Sequence, residues 1–217
     1  MTFRDRRDAG RRLASLLEGS VGLDGEQPVV VGMARGGVPV AFEIAGVLEA
    51  PLDVVVVRKL GHPRQPELGL GAIAEGGVRI MNEALVRQLD VTQDVIDGVV
   101  EQQEGELERR LHLYRGDRPP VPVDGRTVIV VDDGLATGFT ARAAIAVMRH
   151  RSAARVVLAV PVGPPGAVAA LREVADDVVC VETTEDFFGL SEWYDDFRQL
   201  SDDDVARLLA AAALGEQ

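Results

Sequence analysis

With 217 residues, 47% of them hydrophobic, the chain can bury one substantial core, and a single domain spanning 1–217 is expected. Its net charge of −12 argues against a broad nucleic-acid surface. The single cysteine excludes an intramolecular disulfide, and no apolar run is long enough for a signal core or a membrane span, so the expected location is the cytoplasm, with no membrane partner.

An N-terminal helix is predicted with Ala9, Leu13, Leu16 and Leu17 on one face. Next, Pro28 to Ala41 reads as a strand (Val29–Val31), a glycine-rich turn and a helix whose first turn suits Pro39. Val40, Ile44, Val47 and Leu48 give that helix its apolar stripe. The run Val54–Val57 reads as a buried strand ending in charge at Arg58 and Lys59. Lys59 is the only lysine in the chain, which suggests a position that needs a compact ammonium rather than a guanidinium fork. From Gly61 to Glu75 the chain carries His62, Pro63, Arg64, Pro66 and three glycines.

A helical insertion is predicted over 82–118, with Thr92 capping a helix through Val95, Ile96, Val99, Val100, Leu107 and Leu111, and the charged stretch Glu101 to Arg110 largely solvated. Arg115 to Pro120 reads as an exposed linker. Strands at Val128–Val131, Val156–Val160 and Val178–Val181 follow, separated by a helix with Ala141, Ala144, Ile145 and Met148 on one face and another begun by Pro164 and Pro165. Cys180, inside the last of these strands, reads as a buried structural thiol. Two phenylalanines, the only tryptophan and one of two tyrosines gather in Glu182 to Tyr194, either as a stacking wall for a planar base or as packing beneath a surface loop. Ser201 reads as the cap of a final helix with acidic residues in its first turn. Strands alternating with helices imply an α/β fold with a mainly parallel sheet flanked by helices.

The most informative stretch is Val128 to Thr140. Asp132 and Asp133 emerge at the C-terminal end of a buried strand, where open α/β sheets bind ligands. The turn that follows offers backbone N–H groups at a helix start, plus the Thr137 and Thr140 hydroxyls. A phosphate in the turn and vicinal hydroxyls on the carboxylates would together hold a ribose 5-phosphate. The plain alternative is an Asp-Gly turn and a capped helix with no ligand.

Val130-Val-Asp-Asp-Gly-Leu-Ala-Thr-Gly-Phe-Thr140 resembles the phosphoribosyl diphosphate (PRPP) motif of type I phosphoribosyltransferases, and the resemblance runs from about Val29 to Phe197. It implies the Rossmann-like fold of that family with a small hood, here at about 182–200. It implies that Asp132 and Asp133 bind the ribose hydroxyls and, directly or through water, Mg2+. Ala136, Thr137, Gly138, Phe139 (through its N–H) and Thr140 would cradle the 5-phosphate. Met33, Ala34, Arg35 and Gly36 match the diphosphate loop, which in the family often holds a non-proline cis peptide. Arg58 and Lys59 would contact the diphosphate, and Gly61 to Glu75 would be the flexible lid, with His62 and Arg64 as lid contacts. Arg35, Lys59 and Asp133 would serve catalysis, and Phe187 or Phe188 would stack on the base.

The implied partners are PRPP and a small-molecule acceptor, in a homodimer. The implied reaction transfers the phosphoribosyl group to a nitrogen nucleophile and releases pyrophosphate. Where 6-oxopurine transferases commonly carry a carboxylate this chain has Ala136, so the run is more similar to adenine or orotate transferases, and the whole to bacterial proteins of unassigned acceptor. A PRPP-sensing regulator is the other reading. A dinucleotide oxidoreductase fits less well, because Gly32-x-x-x-Gly36-Gly37 lacks the Gly-x-Gly-x-x-Gly spacing.

Overall fold

The structure is a computed structural model that describes residues 2–20 and 27–215. Five parallel strands form the main sheet in the order β2-β1-β6-β7-β8: β1 (Val29–Met33), β2 (Leu52–Val55), β6 (Thr127–Val131), β7 (Arg155–Gly163) and β8 (Asp177–Thr183). Valine-rich runs make these strands because β-branched side chains suit a sheet buried on both faces. Residue alternation divides the core. Val30, Ile129 and Val157 pack with Leu13 and Leu17 of α1 (Arg6–Ser20) and with Val40 and Ile44 of α2 (Gly37–Val47). Val29, Val31, Val128, Val130 and Leu158 pack on the other side against α5 (Phe139–His150) and α6 (Pro165–Leu171). Each such fully buried valine or isoleucine contributes about 1.5–3 kcal/mol.

A second sheet is antiparallel: β3 (Val57–His62), β4 (Gln65–Ala74) and β5 (Val78–Met81). Its one face, with Val57, Ala72 and Ala74, lies on α5, and its other, with Leu60 and Ile73, lies against Leu107 and Tyr114 of α4 (Gln93–Arg115). Val205 and Leu209 of α7 (Asp202–Ala213) complete that second core.

This small sheet corrects two expectations. The run Val54–Val57 is not one strand, because pairing with β1 ends at Val55 and β3 begins at Val57, which carries Arg58 and Lys59 into the antiparallel sheet. The segment 61–75 is a hairpin rather than a loop. Its glycines mark close backbone approach: a Cβ on Gly71 would stand 2.2 Å from the Ile80 carbonyl oxygen, and one on Gly61 would stand 2.7 Å from that of Pro66.

Smaller differences follow from neighbours. Leu16 and Val47, assigned to apolar stripes, are 42% and 45% exposed. The insertion holds two helices, the first being α3 (Glu83–Gln88), whose Leu85 amide donates to Asn82 Oδ1. α4 starts after Thr92 as predicted, although the Thr92 side chain makes no capping bond. Its charged stretch is not uniformly solvated, since the Arg110 side chain is only 14% exposed and bonds Glu106. Arg115, read as linker, ends α4 with its guanidinium between the buried Asp53 and Glu75. Ser201 caps α7 in a capping box with Asp204.

Candidate functional site

β1 and β6 are parallel neighbours with Gly32 opposite Val131, so the loops that leave their C-terminal ends touch. A Cβ on Gly36 would fall 2.0 Å from Asp133 Oδ2, and one on Gly37 would fall 2.3 Å from the Val131 carbonyl oxygen. Only glycine permits that approach. The Ala34–Arg35 peptide is cis, as the resemblance implied for this loop, and the Ala34 amide donates to the Val55 carbonyl at 3.0 Å. The loop is thereby tied to β2 as well as to β6.

Asp133 is buried, and its backbone amide donates to Asp132 Oδ1 at 2.9 Å. Burial, reinforced by the adjacent Asp133 charge, pushes the Asp132 carboxyl well above the usual carboxylate range. Two carboxylates held this closely in a dry site favour a ligand that donates hydroxyls or brings a cation.

In the following turn Leu135 is buried and its amide donates to the Val162 carbonyl at 2.8 Å, which pins the loop. Beyond that anchor the amides of Ala136, Thr137 and Gly138 make no hydrogen bond among the described residues, and Ala136 and Thr137 are exposed. Gly138 takes φ 79°, the left-handed conformation that glycine adopts at least cost, and leads into α5 with Phe139 and Thr140 in the first turn. A loop of open amides at the start of a 12-residue helix suits a phosphate.

The expected diphosphate cations separate. Alternation along β3 puts Lys59 on the Val57 face toward α5 and Arg58 on the opposite face toward α4. Arg58 donates to Gln103 Oε1 at 3.0 and 2.8 Å; burial lowers its proton affinity, as do the like charges of Arg110 and Arg35. Arg35 Nη1 stands 3.8 Å from Asp202 Oδ1, a carboxylate that also accepts from Tyr114 and Arg109. Arg35 and Arg58 therefore join a basic cluster on the α4 side. Lys59 is exposed, its Cε lying 2.9 Å from where a Gly69 Cβ would stand. His62 Nδ1 accepts from the Arg64 amide at 3.2 Å and helps shape the β3–β4 turn.

The hood lies over Asp133. Tyr194 donates its hydroxyl to the Asp133 carbonyl at 2.7 Å, and Arg6 Nε donates to Asp133 Oδ2 at 2.8 Å. The Arg6 guanidinium lies 4.0 Å from the Phe197 ring centre, and Phe197 stacks on Tyr194. Phe3 joins the same cluster through a β-bridge to Tyr194. Phe187 packs into this cluster, so it is hood core, whereas Phe188 is 85% exposed. A cleft of about 280 Å³ opens between Arg6, Arg35, Gly36, Asp133, Phe197 and Leu200. A larger one, about 550 Å³, lies between α4 and the β4–β5 turn and contains neither carboxylate. Cys180, expected to be buried, is half-buried, and burial pushes its thiol up to about 11, which keeps the thiolate scarce near neutral pH.

Sequence reasoning missed Arg6 and Phe197 as parts of the site, and it put Tyr194 among the aromatics of 182–194 without its bond to Asp133. Arg6 has no local signature, being one of five arginines between positions 4 and 12. Among the described residues no group of three or more His, Cys, Asp or Glu could hold a metal, and no helix is long and apolar enough to cross a membrane.

Comparison with known proteins agrees with this architecture. The chain is 42% identical to TT1426 from Thermus thermophilus, whose crystal structure superposes with a TM-score of 0.80 over 96% of this chain and 98% of that one. It is 50% identical over 210 residues to Rv0571c of Mycobacterium tuberculosis, whose name assigns it provisionally to the phosphoribosyl transferases. That match covers 97% of this chain but 47% of the relative, so the chain spans about half the length of the curated relatives it matches. The family model for the phosphoribosyl transferase domain matches residues 4–196. The chain, with its five-stranded parallel sheet and the site at the ends of β1 and β6, belongs to the phosphoribosyl transferase domain family.

Proposed function

We propose that the protein transfers the 5-phosphoribosyl group of PRPP to a nitrogen nucleophile and releases pyrophosphate. The observation that carries this reading is the arrangement of one loop pair: twin carboxylates, that of Asp133 packed on the Gly36 backbone, followed after Gly134 and Leu135 by the open amides of Ala136, Thr137 and Gly138. That order matches ribose hydroxyls on Asp132 and Asp133 and a 5-phosphate at the head of α5.

In this reading the bond from the anomeric carbon to the diphosphate oxygen breaks as the acceptor nitrogen attacks from the opposite face. The electron pair leaves with pyrophosphate, and the acceptor's proton passes to a base outside the residues assigned here. The Arg35 loop and the Arg58 cluster stabilise the departing diphosphate, which requires Arg35 to exchange its long contact with Asp202 for the ligand. Lys59, on the other face of β3, acts on the α5 side of the donor rather than beside Arg58. Asp132 and Asp133 position the sugar, and exclusion of water by the hood protects a cation-like ribosyl centre. The carboxylate oxygens of Asp132 and Asp133 suit Mg2+ once ligand and water oxygens complete the set, and the ion would supply charge neutralisation of the diphosphate. Of the two phenylalanines expected at the base, Phe188 is the candidate, since its ring is exposed whereas Phe187 packs into the hood cluster.

The test is pyrophosphate release from PRPP and Mg2+ in the presence of a panel of purine, pyrimidine and pyridine bases. Release that depends on one base supports transfer. Tight PRPP binding with no release from any member of the panel would point to a PRPP-binding regulator instead.

A further inference from the structure

Arg6 of α1 and Tyr194 of the hood both hold Asp133, one of the two aspartates assigned to the ribose, and the hood in turn holds Arg6. Arg6 Nε donates to Asp133 Oδ2 at 2.8 Å, with the two side chains only 11% and 10% exposed. Arg6 Nη1 donates to the Arg198 carbonyl at 3.0 Å, and the guanidinium plane is backed by Phe197 at 4.0 Å. Tyr194 bonds the carbonyl of the same aspartate at 2.7 Å. The segment bearing Arg6 is in turn fastened to the hood backbone, with Phe3 donating to the Trp193 carbonyl at 2.8 Å and Asp195 donating to the Phe3 carbonyl at 2.9 Å. The cleft lined by Asp133 and by Arg35 and Gly36 of the neighbouring loop has Arg6 in its wall.

We infer that Arg6 is a positioning residue for the donor: it fixes the Asp133 carboxylate for a ribose hydroxyl and joins the ribose site to the hood. This inference rests on the phosphoribosyl-transfer reading. A buried ion pair is a poor way to gain stability alone, because desolvation of the two charges offsets much of their attraction. What such a pair does well is hold one geometry. Arg6 engages Asp133 with Nε, through Oδ2 only, so it orients the carboxylate without occupying both oxygens. Its charge also offsets the repulsion between Asp133 and the adjacent Asp132. Phe197 and the Arg198 carbonyl limit the guanidinium in turn, so the orientation of Asp133 is set by a residue 127 positions away.

The variants Arg6→Gln and Arg6→Lys test this with three probes, PRPP, ribose 5-phosphate and magnesium pyrophosphate, titrated by calorimetry. Emission of the single tryptophan, Trp193, and urea unfolding report whether the hood remains folded. Loss of a charge-assisted bond predicts that Arg6→Gln binds PRPP and ribose 5-phosphate about tenfold or more weakly, while magnesium pyrophosphate changes by less than about twofold. Arg6→Lys keeps the charge but not the planar fork, so its ribose-ligand affinities should fall between those of wild type and Arg6→Gln, and it carries the comparison should Arg6→Gln fail to fold. Wild-type or tighter PRPP affinity in a folded Arg6 variant would overturn the inference, as would an equal loss for all three probes. Failure of the wild-type protein to bind either ribose ligand would overturn the transfer reading itself.

Discussion

Replacing Gly37 with alanine tests whether the chain leaving β1 must touch the end of β6. The new Cβ would stand 2.3 Å from the Val131 carbonyl oxygen, 2.9 Å from the Asp132 Cα and 3.0 Å from the Val131 carbonyl carbon, whereas ordinary contact begins at 3.4 Å. All three are backbone atoms at the end of β6, so no side-chain rotation relieves the clash and the loop must recede by about 1 Å to reach that separation. Overpacking of this kind costs about 1–3 kcal/mol. A 1 Å displacement of positioned groups lowers turnover by about 100-fold. The control is Gly98→Ala in α4, where a Cβ meets nothing within 4 Å. That change should raise stability by up to about 1 kcal/mol through helix propensity. Urea unfolding measures the first effect, and PRPP titration with pyrophosphate release measures the second. A Gly37→Ala protein with wild-type stability and wild-type PRPP affinity would refute the contact between the loops.

Other expectations concern the surroundings of the site. Asp53 accepts from Arg115 Nε at 3.1 Å and from the Val121 amide at 3.0 Å while buried, so Asp53→Ala should cost about 3 kcal/mol in denaturant unfolding; a loss under about 1 kcal/mol would mean that Glu75 alone satisfies Arg115. Hydrogen bonds from Arg109 and Arg110 pull the Glu106 carboxyl down to about 2, below its ordinary 4.5. A depressed folded-state value stabilises above the unfolded value and loses that contribution as pH falls, so Glu106→Gln should flatten the melting-temperature profile between pH 4.5 and 2. An unchanged acid limb would show that the arginines find other partners. Phe188→Ala should raise the acceptor KM and leave both PRPP affinity and stability near wild type, since the ring is 85% exposed. Equal effects on donor and acceptor would remove Phe188 from the acceptor wall.

The parts of the fold written in local pattern were legible in the sequence. Five β-branched runs became the parallel sheet, and Ala141, Ala144, Ile145 and Met148 became the buried face of α5. The loop pair was equally visible, because Gly36, Asp132, Asp133 and Gly138 are needed for local backbone or chemical reasons. What failed was the flexible loop that the resemblance implied over 61–75, where the glycines instead admit a neighbouring strand. No local period distinguishes those two uses of glycine. The Arg58-Lys59 pair was read as one unit although strand alternation sends its members to opposite faces. Arg6 and Tyr194 could not be found by spacing, since each meets Asp133 only after the N-terminal segment and the hood pack together.

Calorimetric titration with PRPP, with and without Mg2+, on wild type and the Asp132→Asn/Asp133→Asn variant is the most direct test of the donor site. The account predicts magnesium-dependent binding that the folded double variant loses. Equal affinity in the two proteins would contradict the assignment of these carboxylates to the ribose, and no binding by folded wild type would mean that this fold keeps the motif without its ligand.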